Sequence, residues 1–109
     1  MKIDFSSVGE TAIPNFKGGE KETAACMFFD GVNRIMRGRL IPGASIGMHS
    51  HTDSSEIIYI LSGTATVTTD DGVETVGAGE CHYCPRGHSH SMKNNGADEL
   101  TFFAVVPMQ

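Results

Sequence analysis

No window of a dozen residues in this sequence keeps an apolar stripe at i, i+3, i+4 and i+7, so nothing in it specifies an amphipathic helix. Short runs rich in β-branched and aromatic residues recur instead, cut by Gly, Pro, Asn and Asp. The pattern predicts strands over Thr23–Phe29, Asn33–Ile41, Ser45–His49, Glu56–Leu61, Thr64–Thr69, Val73–Val76, Cys81–Cys84, His88–Lys93 and Leu100–Val106. Tight turns are expected at Asp70-Asp71-Gly72 and Asn95-Gly96, where Gly or its Asn/Asp neighbour takes a positive φ. Pro42-Gly43 and Pro85-Arg86-Gly87 mark two sharp corners, and the first 20 residues carry no readable element. About nine short strands at this spacing, with no helix, predict an all-β sandwich or barrel. A chain of 109 residues suits one domain, spanning 1–109.

Charge narrows the function classes. Lys and Arg number 8 against 13 Asp and Glu, a formal charge of −5, and no basic run is present. This argues against nucleic-acid or anionic-membrane partners. Apolar runs fall far short of the roughly 20 residues that a membrane-spanning helix needs. The opening MKIDFSSVGE lacks the apolar core of a secretory leader, and three Cys form no disulfide framework, so reduced thiols and a cytoplasmic location are expected.

One strand departs from the expected alternation. Thr64–Thr69 alternates as a strand with one wet face does, whereas Ile57–Leu61 is apolar on both faces. Its outer face needs a cover, either this chain's N-terminal segment or a second subunit; the second reading, a homodimer, is preferred.

Five histidines and one glutamate carry the chemistry. His49 and His51 at i, i+2 on an extended segment project to the same side, and the polar run Ser50–Ser55 turns the chain towards Glu56. A hairpin there would return Glu56 beside the two imidazoles. Far along the chain, His88 and His90 repeat the i, i+2 spacing. Two imidazoles, one carboxylate and at least one further imidazole form a ligand set suited to a divalent transition metal.

Two stretches then resemble the cupin family. Residues 43–63 fit its first motif, G-x5-H-x-H-x4-E-x6-G, and residues 79–94 fit its second, G-x5-P-x-G-x2-H-x3-N, with 15 residues between them. The resemblance implies a jelly-roll β-barrel of two antiparallel sheets with a metal inside. Carried over by position, it implies that His49, His51, Glu56 and His90 are the metal ligands, that Gly43, Gly63, Gly79, Pro85 and Gly87 form turns, and that Asn94 is structural. His88 lies outside the ligand pattern; its parity with His90 makes it a substrate-facing candidate or a support for a ligand. Parity also pairs His82 with Cys84, without saying which way they face.

Other clusters read less sharply. Cys81 and Cys84, three apart on a strand, point to opposite faces and so form no redox or zinc pair. Arg34, Arg37 and Arg39 lie along one predicted strand, with Arg37 and Arg39 sharing a face; inward they would clamp a carboxylate or phosphate, outward they form a solvated edge, and the outward reading is preferred. Met36, Met48, Met92, Phe102 and Phe103 are expected to fill the barrel and line its pocket. Ser50, His51 and Asp53 have no nucleophile elbow and are not read as a triad.

Four nitrogen and oxygen ligands leave positions open on Mn, Fe, Co or Ni, whereas a structural Zn would close tetrahedrally. The expected activity is that of a metal-dependent enzyme on a small polar organic molecule, by O2-dependent oxidation or by isomerase or lyase chemistry on a sugar- or keto-acid-like substrate. Glu56 serves as a ligand able to detach and shuttle a proton, with His88 and Tyr83 as auxiliary acid–base candidates. A non-catalytic binding or sensing module and a merely structural metal are the alternatives.

Overall fold

A computed structural model describes all 109 residues. Ten strands follow in order: β1 Thr11–Pro14, β2 Glu22–Phe29, β3 Asn33–Leu40, β4 Ser45–Ser50, β5 Glu56–Ser62, β6 Thr64–Thr69, β7 Gly72–Gly77, β8 Cys81–Cys84, β9 Ser89–Lys93 and β10 Leu100–Pro107. They form two antiparallel sheets, one of six strands in the order β1-β2-β3-β10-β5-β8 and one of four in the order β4-β9-β6-β7. This is the expected all-β jelly roll. The nine predicted strands are all present, with ends shifted by a residue or two, and β1 is the element that the sequence did not disclose. No helix is long and apolar enough to cross a membrane.

Alternation builds the core. The inward residues of β10 are Leu100, Phe102 and Ala104, all fully buried, and they meet Ile58 and Ile60 of β5, Leu40 of β3, and Ala65 and Val67 of β6. Removing side chains of this size from water contributes about 1.5–3 kcal/mol each. Met36 and Met92 join them, but two residues expected inside are not. Met48 is 51% exposed on β4. Phe103 alternates outward from Phe102, where its ring meets Phe5 edge-on. A one-residue step along a strand reverses the face, and adjacent apolar residues cannot both point in.

The outer face of the larger sheet is apolar across five strands. Phe28, Ile35, Val105, Ile57 and Tyr83 lie side by side as successive cross-strand partners. Phe5 packs edge-on against Phe103, while Ile57, Tyr59 and Leu61 of β5 stay between 39% and 44% exposed. The N-terminal segment therefore does not cover this face.

Two turns differ in kind. Gly72 closes the β6–β7 hairpin at φ 135°, as expected. Gly96 takes no positive φ; the β9–β10 link is instead organised by Asn94, 1% exposed. Its Nδ2 donates to Leu40 O and Asp98 O, both at 2.8 Å, and its Oδ1 accepts from Gly96 N–H at 3.0 Å. The structural role expected for Asn94 is thereby explained.

Candidate metal centre

The two sheets deliver the ligand candidates separately. In the smaller sheet β4 pairs with β9 in a register that sets His49 directly opposite His90. His51 follows β4, and the chain then crosses to the larger sheet, where Glu56 opens β5. The expected hairpin is thus a crossover: β4 pairs with β9, while β5 pairs with β10 and β8. The crossing loop is pinned by the C-terminus, through Ser55 N–H to Pro107 O and Gln109 N–H to Asp53 O.

Four donor atoms converge at the bottom of a cavity. Glu56 Oε1 lies 2.8 Å from His90 Nε2, 3.2 Å from His51 Nε2 and 3.7 Å from His49 Nε2. His90 Nε2 lies 3.0 Å from His51 Nε2 and 3.1 Å from His49 Nε2. An ion with bonds of about 2.1 Å holds neighbouring octahedral ligands about 3.0 Å apart, so these spacings fit a single first-row ion.

Proton bookkeeping supports the fit. Each imidazole is held through Nδ1, leaving Nε2 for the centre. His49 Nδ1–H donates to Gly47 O at 2.8 Å, His51 Nδ1 meets Ser54 Oγ at 2.9 Å, and His90 Nδ1 meets His82 Nε2 at 3.0 Å. Burial works to raise the Glu56 carboxyl, but the three surrounding imidazoles more than offset it and hold its pKa well below the ordinary value. Burial pushes His90 the other way, below the usual imidazole value, against the pull of Glu56. Three imidazole nitrogens and one carboxylate oxygen converging at this spacing are the donor set that a divalent cation satisfies.

The cavity above this cluster has a volume of about 260 Å³. Its walls are apolar, from Met36, Ile46, Ile58, Met92 and Val106, and two cations, Arg34 and Lys17, stand among its lining residues. The Arg34 guanidinium lies over the Phe29 ring, 4.8 Å from its centroid. The Arg and Lys ion pairs of the chain engage Arg39 and Lys93, leaving both of these cations without a carboxylate. Lys17 sits in a 3₁₀ turn, Phe16–Gly18, pressed against β4. A Cβ at Gly47 would come within 2.1 Å of Lys17 O, so only glycine allows the approach.

For Arg34 the preferred outward placement is corrected: it lines the cavity. Arg37 and Arg39 share the outward face, as preferred, with Arg39 bonded to Glu10 and Glu99; Arg34 falls in step with inward Met36.

His88 needs a correction. β9 begins at Ser89, so the parity drawn from His88 to His90 does not hold. The imidazole is 46% exposed, pairs with Asp70 at 3.2 Å and does not line the cavity, which leaves it apart from the four converging donors. Tyr83 is 57% exposed on the outer face. His82, by contrast, is 2% exposed and touches His90, while its Nδ1 bonds to Glu74 Oε1 on β7. Cys81 is exposed and Cys84 buried, on opposite faces as expected. Burial, with the charges of Glu56 and Asp70, pushes the Cys84 thiol up to about 11.

Comparison with known proteins agrees with this geometry. The model of the cupin domain matches residues 36–106. A protein of Thermotoga maritima named "Oxalate-binding protein" is 34% identical over 97% of this chain and 93% of its own length. A solved structure from the same organism, described as a predicted oxalate decarboxylase, superposes over the whole of both chains with a TM-score of 0.92 and 30% identity. A sugar phosphate isomerase of the cupin superfamily from Silicibacter pomeroyi covers all of this chain and 76% of its own at a TM-score of 0.79 and 20% identity, a likeness of fold. The chain belongs to the cupin family, with a His3Glu cluster able to hold a metal ion.

Proposed function

We propose that this chain holds one divalent transition-metal ion on His49, His51, Glu56 and His90 and uses it to bind and transform a small carboxylate anion. One observation carries the reading: the donor cluster lies in a cavity whose only other charged lining groups are Arg34 and Lys17, both without an acidic partner. A carboxylate entering there meets two unpaired cations on the wall, and the Arg34 guanidinium offers a planar fork suited to a carboxylate's two oxygens. The metal supplies Lewis acidity or a redox partner when bound. The chain's own residues orient the anion from Arg34 and Lys17, exclude water with the methionine and isoleucine walls, and offer Glu56 as the group that releases or accepts a proton. The cavity of about 260 Å³ suits a molecule of a few carbons, such as a dicarboxylic or keto acid. The oxalate named for the relative belongs to this class.

A second reading, metal-dependent binding without turnover, is favoured by a specific feature. Besides the cluster itself, Lys17 is the only proton-transfer candidate on the cavity wall, since His88 and Tyr83 lie elsewhere. The apolar face of the larger sheet supports a homodimer, and the three free thiols suit a reducing, cytoplasmic setting.

Metal analysis of protein purified without chelators, followed by calorimetric titration with oxalate and short keto acids, tests the proposal. The expected result is near one transition-metal ion per chain, with affinity for the acids weakened about 10- to 100-fold by Arg34→Ala. Oxygen uptake or product release separates turnover from binding. Absence of transition metal, or identical affinity in Arg34→Ala, would overturn the reading.

A further inference from the structure

The hydrogen-bond chain behind His90 runs outward to the surface, and the direction of every proton in it is dictated by its outer end. A carboxylate only accepts, so Glu74 Oε1 accepts the hydrogen bond that His82 Nδ1–H donates. In the tautomer that carries its hydrogen on Nδ1, His82 presents Nε2, 3.0 Å from His90 Nδ1, as the acceptor for His90 Nδ1–H. His90 is left with its unshared pair on Nε2, the atom 2.8 Å from Glu56 Oε1 and 3.0 Å from His51 Nε2. The register of the fold puts the three residues in line: His90 on β9 of the smaller sheet, His82 on β8 of the larger, and Glu74 on β7 at the edge of the smaller. His82 is 2% exposed and has no contact with the cavity, whereas Glu74 is 53% exposed.

We propose that Glu74 and His82 are positioning residues for the metal centre: acting in series, they hold His90 in the tautomer and ring orientation that presents Nε2 to the ion. The inference rests on the metal-binding reading above and assigns roles to two residues outside the four donors. His49 and His51 are oriented by groups of their own segment, Gly47 O and Ser54 Oγ. His90 alone depends on a relay through another imidazole, and so it is the ligand that a substitution at the protein surface can disturb.

The test measures affinity for Zn²⁺ alone, by competition with a chromogenic chelator, in wild type, Glu74→Ala and Glu74→Gln, alongside the melting temperature of each metal-free protein. Glu74 is solvent-facing, so both variants are expected to fold and to melt within a degree or two of wild type. Glu74→Ala is expected to weaken Zn²⁺ binding about tenfold, in the range typical of groups that orient ligating histidines. Glu74→Gln, whose amide oxygen accepts the same bond from His82, should recover most of that loss. Nitrogen-15 imidazole spectra of the Zn²⁺-loaded wild type should show His82 protonated on Nδ1 and accepting on Nε2. Unchanged affinity in Glu74→Ala, no recovery in Glu74→Gln, or a His82 protonated on Nε2 would each overturn the proposal and leave the metal centre standing. Failure of wild type to bind Zn²⁺ or any other transition metal would remove both.

Discussion

Metal addition to the stripped protein should raise its melting temperature by an amount that the structure allows to be worked out. Unfolding entropy of about 2.1 cal/mol/K per residue gives about 0.23 kcal/mol/K for 109 residues. Metal present at 100 times its dissociation constant stabilises the folded state by about 2.7 kcal/mol, since the four donors come together only there. The expected rise is therefore about 12 °C. His51→Ala removes a donor that sits 3.0 Å from His90 Nε2 and 3.2 Å from Glu56 Oε1. If this weakens binding about 100-fold, the same metal concentration stabilises by only about 0.4 kcal/mol, or about 2 °C. His88→Ala, on an exposed imidazole paired with Asp70, should keep the full rise. Differential scanning fluorimetry of chelator-treated protein with and without Mn²⁺ or Zn²⁺ reads all three. Equal rises in wild type and His51→Ala, or a rise lost in His88→Ala, would refute the placement of the centre.

Asn94→Ala leaves the carbonyls of Leu40 and Asp98 without their donor inside the fold and should cost about 2–4 kcal/mol, a drop of about 9–17 °C in a melting experiment. The Cys84 thiol is raised from 9.0 to about 11 in the folded state, first by burial, so the native protein holds that proton more tightly than the unfolded chain does. Its contribution is complete below about pH 9 and is lost as pH rises towards 11; the fall in melting temperature over that window should be shallower in Cys84→Ala. Thiol titration at pH 8 should find Cys81 reacting fast and Cys84 slowly, in line with their exposure. Ile57→Asp with Tyr59→Asp places charge in the apolar face of the larger sheet; light scattering is expected to report a dimer for wild type and a monomer for the double variant.

Strand positions were legible because alternation and turn residues are local properties, and each of the nine predicted strands corresponds to an observed one. The four converging donors were legible for a different reason: two motifs at fixed spacing carry them. What escaped the sequence depends on contacts between distant segments. β1 is a strand because Thr11–Pro14 finds the open edge of β2, not because its residues demand it. His88 and His90 look equivalent in sequence, yet Gly87, at φ 87°, breaks the alternation before β9 begins. Glu74 lies on a hairpin that reads as ordinary solvated strand, and only the packing of β7 against β8 brings it to His82. Arg34 was within reach of parity, but the neighbouring Arg37 and Arg39 formed the more obvious pair.

The position of β10 bears on how the protein is made. That strand lies between β3 and β5 in the larger sheet, so the strand carrying Glu56 has no partner on that side until Leu100–Pro107 have been translated. All four donors leave the ribosome before β10 does, yet the strand that carries Glu56 is joined to β3 only once β10 has been made. A chain cut before Leu100 would carry every ligand in its sequence but lack the strand that joins the one bearing Glu56 to β3.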